Sequence, residues 1–160
     1  MNVGTFTPTG YFFLTSGTPL SPSITADFGA TVFGPSQSFD YIFEFTIPQN
    51  GMGSGSMSTS FSSATNELTI SKLLIDGAQY AVTSTSSGQS ATVSGVPIHS
   101  GVLNTIEIIG STSPVNVGAT FSGTATFAAV PEPAGWALMA GGLGLLGAAM
   151  RRRRAAALVA

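Results

Sequence analysis

Cysteine is absent from the 160 residues, so no disulfide braces the fold. That absence fits either side of a membrane and leaves the compartment to be read from other features. Charge is scarce too. Only 7 acidic and 5 basic residues occur, and ahead of Pro131 a single basic residue, Lys72, stands against Asp27, Asp40, Glu44, Glu67, Asp76 and Glu107. A chain so poor in cations does not neutralise phosphates, which argues against nucleic acid as a partner. There is no phosphate loop, no zinc-ligand spacing and no dinucleotide fingerprint: Gly141, Gly142, Gly144 and Gly147 lie in an apolar run instead of after a strand. Strong helix formers are few. Ser, Thr, Gly and β-branched residues carry the body of the chain, a bias that favours strands.

Strand signals recur along that body at the spacing of a sandwich. Tyr11 to Thr15 and Gly29 to Phe33 are the first two. From Phe39 to Ile47 the pattern is clearest, with Phe39, Tyr41, Phe43, Phe45 and Ile47 on one face and Asp40, Ile42, Glu44 and Thr46 on the other. Gln49 to Ser60 reads as a loop or a weak strand. Leu68 to Ile75 is expected to pair with Ala78 to Ser84 through Asp76-Gly77, a dipeptide suited to a tight hairpin turn. A change of apolar parity from Leu68 and Ile70 to Leu73 and Ile75 predicts a bulge near Lys72. Val102 to Ile109 and Ala119 to Phe127 complete the set. Seven to nine strands with polar turns predict an all-β, antiparallel, jelly-roll-like β-sandwich over residues 1–127.

Candidate chemistry within this body is thin. His99 is the sole histidine, placed at a turn after Pro97-Ile98, and reads as a surface residue more readily than as the base of a Ser-His-Asp triad. Asp40 and Glu44 share a strand face, yet two carboxylates offer fewer oxygens than Ca²⁺ requires, and a solvated face is the better reading. Asp27 and Asp76 fall where turns are expected. The expectation is therefore no enzyme activity, no catalytic residue, no metal and no cofactor. If the body binds carbohydrate it needs exposed aromatics on a flat face; Tyr11, Tyr41 and Tyr80 are the candidates, with Tyr41 the one expected in the core.

The last third of the charge sits in one place. Residues 128–160 form a separate tail: Val130-Pro131-Glu132-Pro133, an apolar run from Ala134 to Met150, then Arg151-Arg152-Arg153-Arg154. Seventeen uncharged residues are at the short end of what spans a hydrocarbon core as a helix, and the run is apolar all round instead of on one stripe. It is expected to be a transmembrane helix, with Trp136 as the interface anchor at one end and the four arginines as the basic stop that keeps the C-terminus cytoplasmic. Ala140, Gly144 and Ala148 form a small-residue stripe of the kind that admits close helix pairing. The two prolines hold Val130 and Glu132 out of helical conformations, so the motif is a pre-extended peptide with one charge to read.

In this order the parts resemble the PEP-CTERM sorting signal of Gram-negative bacteria: Pro-Glu-Pro, one short apolar helix, a basic stop and the chain end. The resemblance implies export across the inner membrane and recognition by an exosortase, a membrane-embedded cysteine transpeptidase-like enzyme, with Val130, Pro131, Glu132 and Pro133 as the sorting motif. It also implies transient residence in the inner membrane, cleavage, and release to the cell surface, extracellular matrix or biofilm. Ser38 to Phe45 is similar, with a one-residue shift in spacing, to the Phe-x-Asp strand of the Phe-and-Asp-rich PEP-CTERM class. Export requires a signal peptide, which Met1 to Phe6 does not provide, so a start upstream of Met1 is expected, the alternative being a truncated gene product. The function expected is a secreted surface or matrix protein with a non-enzymatic structural or adhesive ectodomain; the alternative is a carbohydrate-binding module acting on exopolysaccharide.

Overall fold

The computed structural model describes residues 10–18, 21–129 and 138–145. Contacts divide the chain into two units, Met1–Ala129 and Val130–Ala160. In the first, ten strands lie in two antiparallel sheets. They are β1 (Gly10–Thr18), β2 (Ser21–Val32), β3 (Ser38–Phe45), β4 (Gly51–Thr59), β5 (Leu68–Ile75), β6 (Ala78–Tyr80), β7 (Thr83–Thr85), β8 (Gly88–Ile98), β9 (Asn104–Thr112) and β10 (Ala119–Ala129). The six-stranded sheet runs β1-β2-β10-β4-β8-β7 and the four-stranded sheet β3-β9-β5-β6.

The pairing is nested. β2 pairs with β10, β3 with β9, β4 with β8 and β5 with β6, so the chain is one long hairpin whose arms alternate between the two sheets. Rolling such a hairpin over a core gives the all-β, jelly-roll-like arrangement, with ten strands among the described residues where seven to nine are expected. Its tip is Asp76-Gly77, with φ of 49° and 79°, both in the left-handed region that a tight turn of this kind needs. The expected bulge is present: the β5–β9 register slips between Ile70 and Lys72, which turns Leu73 inward to 3% exposure.

Aromatic rings join the two layers. Phe121 of β10 is fully buried and lies 5.5 to 6.4 Å, centroid to centroid, from Phe39, Tyr41 and Phe43 of β3. Phe12 and Phe28 from β1 and β2 meet Phe43 from the same side. These spacings fall within the range in which ring pairs attract beyond their area burial. The inward face of β3 is therefore the one read from the sequence, although the strand ends at Phe45 and Ile47 is buried just beyond it.

Three expectations are resolved or corrected. Of the loop and the weak strand expected over Gln49 to Ser60, the strand is found: β4, paired on both edges. Its inward positions Gly51, Gly53 and Gly55 carry no side chain, so a period-two apolar signal could not be seen; at Gly51 the Phe127 ring occupies the space a Cβ would fill. Secondly, Ala78 to Ser84 is not one strand: after Tyr80 the chain leaves β5, and Thr83–Thr85 pairs with β8 in the other sheet. Thirdly, β8 is an eleven-residue strand absent from the sequence reading. Its buried residues change parity, from Ala91 and Val93 to Val96 and Ile98, across a register shift at Gly95, whose φ is +69°.

In the second unit residues 138–145 are helical, and Leu138, Met139, Leu143 and Leu145 are exposed. Among the described residues no helix is long and apolar enough to cross a membrane. The helical segment falls inside the expected span of 134–150; residues 134–137 and 146–150 lie outside the described residues.

Candidate functional site

The sorting-motif residues Val130, Pro131, Glu132 and Pro133, the anchor Trp136 and the basic stop Arg151, Arg152, Arg153 and Arg154 all lie outside the described residues. What leads to them is described. β10 is a central strand held by β2 on one edge and β4 on the other, and its pairing continues to Ala129, opposite Gly51. The ladder thus runs to the residue before Val130.

Asn104 shapes the end of the sandwich where β10 finishes. It is 1% exposed; its Nδ2 donates to the His99 carbonyl at 2.9 Å and the Val102 carbonyl at 3.2 Å, and its Oδ1 accepts from the His99 amide at 3.2 Å. His99 is exposed and takes part through its backbone. Asp76 sits in the hairpin turn, as expected, and its carboxylate reaches across to β9, where it accepts from the Thr105 amide at 2.7 Å.

Asp40 and Glu44 share the outer face of the four-stranded sheet, opposite Ile109 and Thr105, with Glu107 facing Ile42 between them. Among the described residues no group of three or more His, Asp or Glu side chains could hold a metal. An apolar cavity of about 70 Å³ lies between the sheets, lined by Phe28, Met57, Val93 and Ile106 among others. It is under half the size of the roughly 150 Å³ hole that admits benzene in an engineered core, so it is packing space and no metabolite site.

The outer face of the six-stranded sheet is different in kind. Alternation points Thr120, Ser122, Thr124 and Thr126 of β10 outward, beside Ser54, Ser56 and Ser58 of β4 and Ser90 and Thr92 of β8. Register aligns them in rows: Asp27, Thr124, Ser56 and Thr92 in one, Gly29, Ser122, Ser58 and Ser90 in the next. Asp27 is thus a mid-strand residue of β2, not the turn residue expected, and its Oδ1 accepts from Thr124 Oγ1 at 3.1 Å.

Of the three tyrosines, Tyr41 is in the core, as expected, and Tyr80 is half-buried against it. Tyr11 is 39% exposed and stacks on Phe13, 64% exposed, at a centroid distance of 5.7 Å. Both extend the hydroxyl rows across β1, Tyr11 opposite Gly29 and Phe13 opposite Asp27. Phe13 lies in a strand that the sequence shows but is not among the tyrosines weighed as candidates; the serine rows are hidden because 88–98 shows no strand signal and 49–60 reads as a loop or a weak strand. The alternation of Gly with Ser over 53–56 was the available signal.

The family model for the PEP-CTERM protein-sorting motif matches residues 129–154. No curated protein and no solved structure matches the chain.

Proposed function

We propose, from the premise that this chain carries a PEP-CTERM protein-sorting motif, that it is an exported protein delivered by its tail to the cell surface or extracellular matrix. The observation that carries this reading is the match over residues 129–154, which takes in the Pro-Glu-Pro segment, the apolar run and the arginines in one continuous piece. Residues 134–150 act as a short transmembrane helix, a reading supported by the helical conformation of residues 138–145. Arg151 to Arg154 hold the C-terminus in the cytoplasm, so the sandwich stands outside. An exosortase then binds the proline-extended Val130 to Pro133 and cuts there. The sandwich is a structural or adhesive module that works by its surface and not by catalysis.

The test is intact-protein mass spectrometry on material from a host with an active exosortase and from one without. The mature chain is expected to end within Val130 to Pro133 and to lack Arg151 to Arg154 in the first host only. Recovery of the uncut chain from both would refute it.

A further inference from the structure

We propose that the outer face of the six-stranded sheet binds a neutral polysaccharide, with Tyr11 and Phe13 as the stacking platform and Asp27 as the orienting acceptor. The inference deepens the reading of the sandwich as an exported adhesive module and rests on it.

Three observations converge on one patch. Tyr11 lies across Gly29: a Cβ on that glycine would stand 2.8 Å from Tyr11 Oη and 3.0 Å from its Cε1. Gly29 therefore lets the ring settle onto the sheet, and with Phe13 stacked beside it two aromatic surfaces remain open to solvent. Next to them is a depression lined by Tyr11, Asp27, Ser56, Ser58, Ser122 and Thr124. Among the described residues, the hydroxyls of Ser56, Ser58 and Ser122 make no hydrogen bond within the protein, so each has both a donor and an acceptor unspent.

A pyranose ring presents an apolar face and a rim of hydroxyls that both donate and accept, which is what this patch is built to meet. Alternative occupants fit less well. Protein interfaces are depleted in Ser, and this face is mostly Ser and Thr. Nucleic acids and acidic polysaccharides need cations, and the face has none; its one ionised side chain is Asp27, since Lys72 belongs to β5 in the other sheet. The rows cross from β1 to β8, four strand spacings or about 19 Å, long enough for several linked sugars.

Affinity electrophoresis of the full chain in detergent micelles tests this, with hydroxyethyl cellulose, laminarin or dextran in the gel and alginate as the acidic comparator. At least one neutral polymer is expected to retard the protein, and alginate is not. Tyr11→Ala and Phe13→Ala should each weaken binding about tenfold, the upper end of what one aromatic contact supplies. Asp27→Asn should weaken it by a smaller factor, and Ile42→Ala, on the opposite sheet's outer face, should leave it unchanged. Phe13 is exposed enough that its loss will not unfold the domain, and circular dichroism verifies that for each variant. Retardation by none of the three neutral polymers, retardation equal in Phe13→Ala and wild type, or tighter binding to alginate would each overturn the proposal. The C-terminal mass measurement is independent of these outcomes, so failure here leaves the sorting reading standing.

Discussion

Phe121→Ala should remove a large share of the stability of the sandwich. The ring is fully buried on the central strand β10 and touches Phe39, Tyr41 and Phe43 across the interlayer space. Truncating a buried Phe to Ala costs about 3–5 kcal/mol, the transfer term plus a cavity that the two sheets close only in part. The upper half of that range applies here, because three ring contacts are lost together and sheets fixed by backbone ladders cannot collapse inward. A loss of about 4 kcal/mol is large against the 5–15 kcal/mol typical of a folded domain. For a domain of this length it corresponds to roughly 15 °C in Tm. Guanidinium denaturation of a fragment ending at Ala129, the boundary of the compact first unit, measures it. Phe43→Ala made in the same background should give a combined loss smaller than the sum, by about 0.5 kcal/mol or more, because the two rings are neighbours. A loss for Phe121→Ala under about 1.5 kcal/mol would refute the reasoning, since it would mean that this ring does not join the layers.

Other perturbations separate backbone demands from side-chain packing. Asn104→Ala leaves the His99 amide and two carbonyls without their partner and should cost about 2 kcal/mol by the same denaturation assay, the carbonyls being partly rescued by water. Gly77→Ala places a side chain in open space but at a φ of +79°, so about 1 kcal/mol of conformational cost is expected with no packing effect, seen as a lower Tm. By contrast Gly123→Ala puts a methyl into the Phe28 ring and 2.8 Å from the Ser56 carbonyl oxygen, and overpacking of about 1–3 kcal/mol should appear in the same scan. Replacing Arg151 to Arg154 by Gln should abolish the fixed orientation of the tail, read as loss of the cut C-terminus in the mass spectrum.

The sequence was most legible where side chains themselves carry the pattern. Phe39, Tyr41, Phe43 and Phe45 announce the inward face of β3, and Asp76-Gly77 announces the hairpin tip around which the nested pairing is organised. It was least legible where the inward position is empty. On β4 the first three inward positions are Gly51, Gly53 and Gly55, ahead of Met57 and Thr59, and the apolar bulk over Gly51 and Gly53 comes from β10 and β8, as Phe127 and Ile98. Periodicity is a property of one segment, whereas here the volume at each position is shared between strands distant in sequence. On β8 the alternation exists but is interrupted by the bulge at Gly95, so each half is too short to stand out. The outer-face patch inherits both difficulties, because the serines of β4 and β8 acquire meaning only when those segments are strands in register with β2 and β10.

The poverty of charge then has a structural counterpart. Among the described residues the buried polar side chains are Thr59, Asn104, Thr112 and Asn116, all uncharged. Each bonds to backbone: Thr59 accepts from the Gln89 amide, Thr112 accepts from the Gln37 amide and donates to the Gly34 carbonyl, and Asn116 donates to the carbonyls of Val32 and Gly34. Neutral groups bonded to a fixed backbone need no partner ion and avoid most of the desolvation cost that buried charges impose; the exception among the described residues is Asn116 Oδ1, which is buried without a partner. Corners that another domain would hold with ion pairs are held here by hydroxyls and amides, whose protonation does not change between acid and mild base. The interior is closed by rings that require neither metal nor disulfide. Ser, Thr and Gly thus serve two ends: inside they tie loops to strands without ions, and outside Thr120 and Thr124 bond to neighbours on β2 while the hydroxyls of Ser56, Ser58 and Ser122 stay open to solvent.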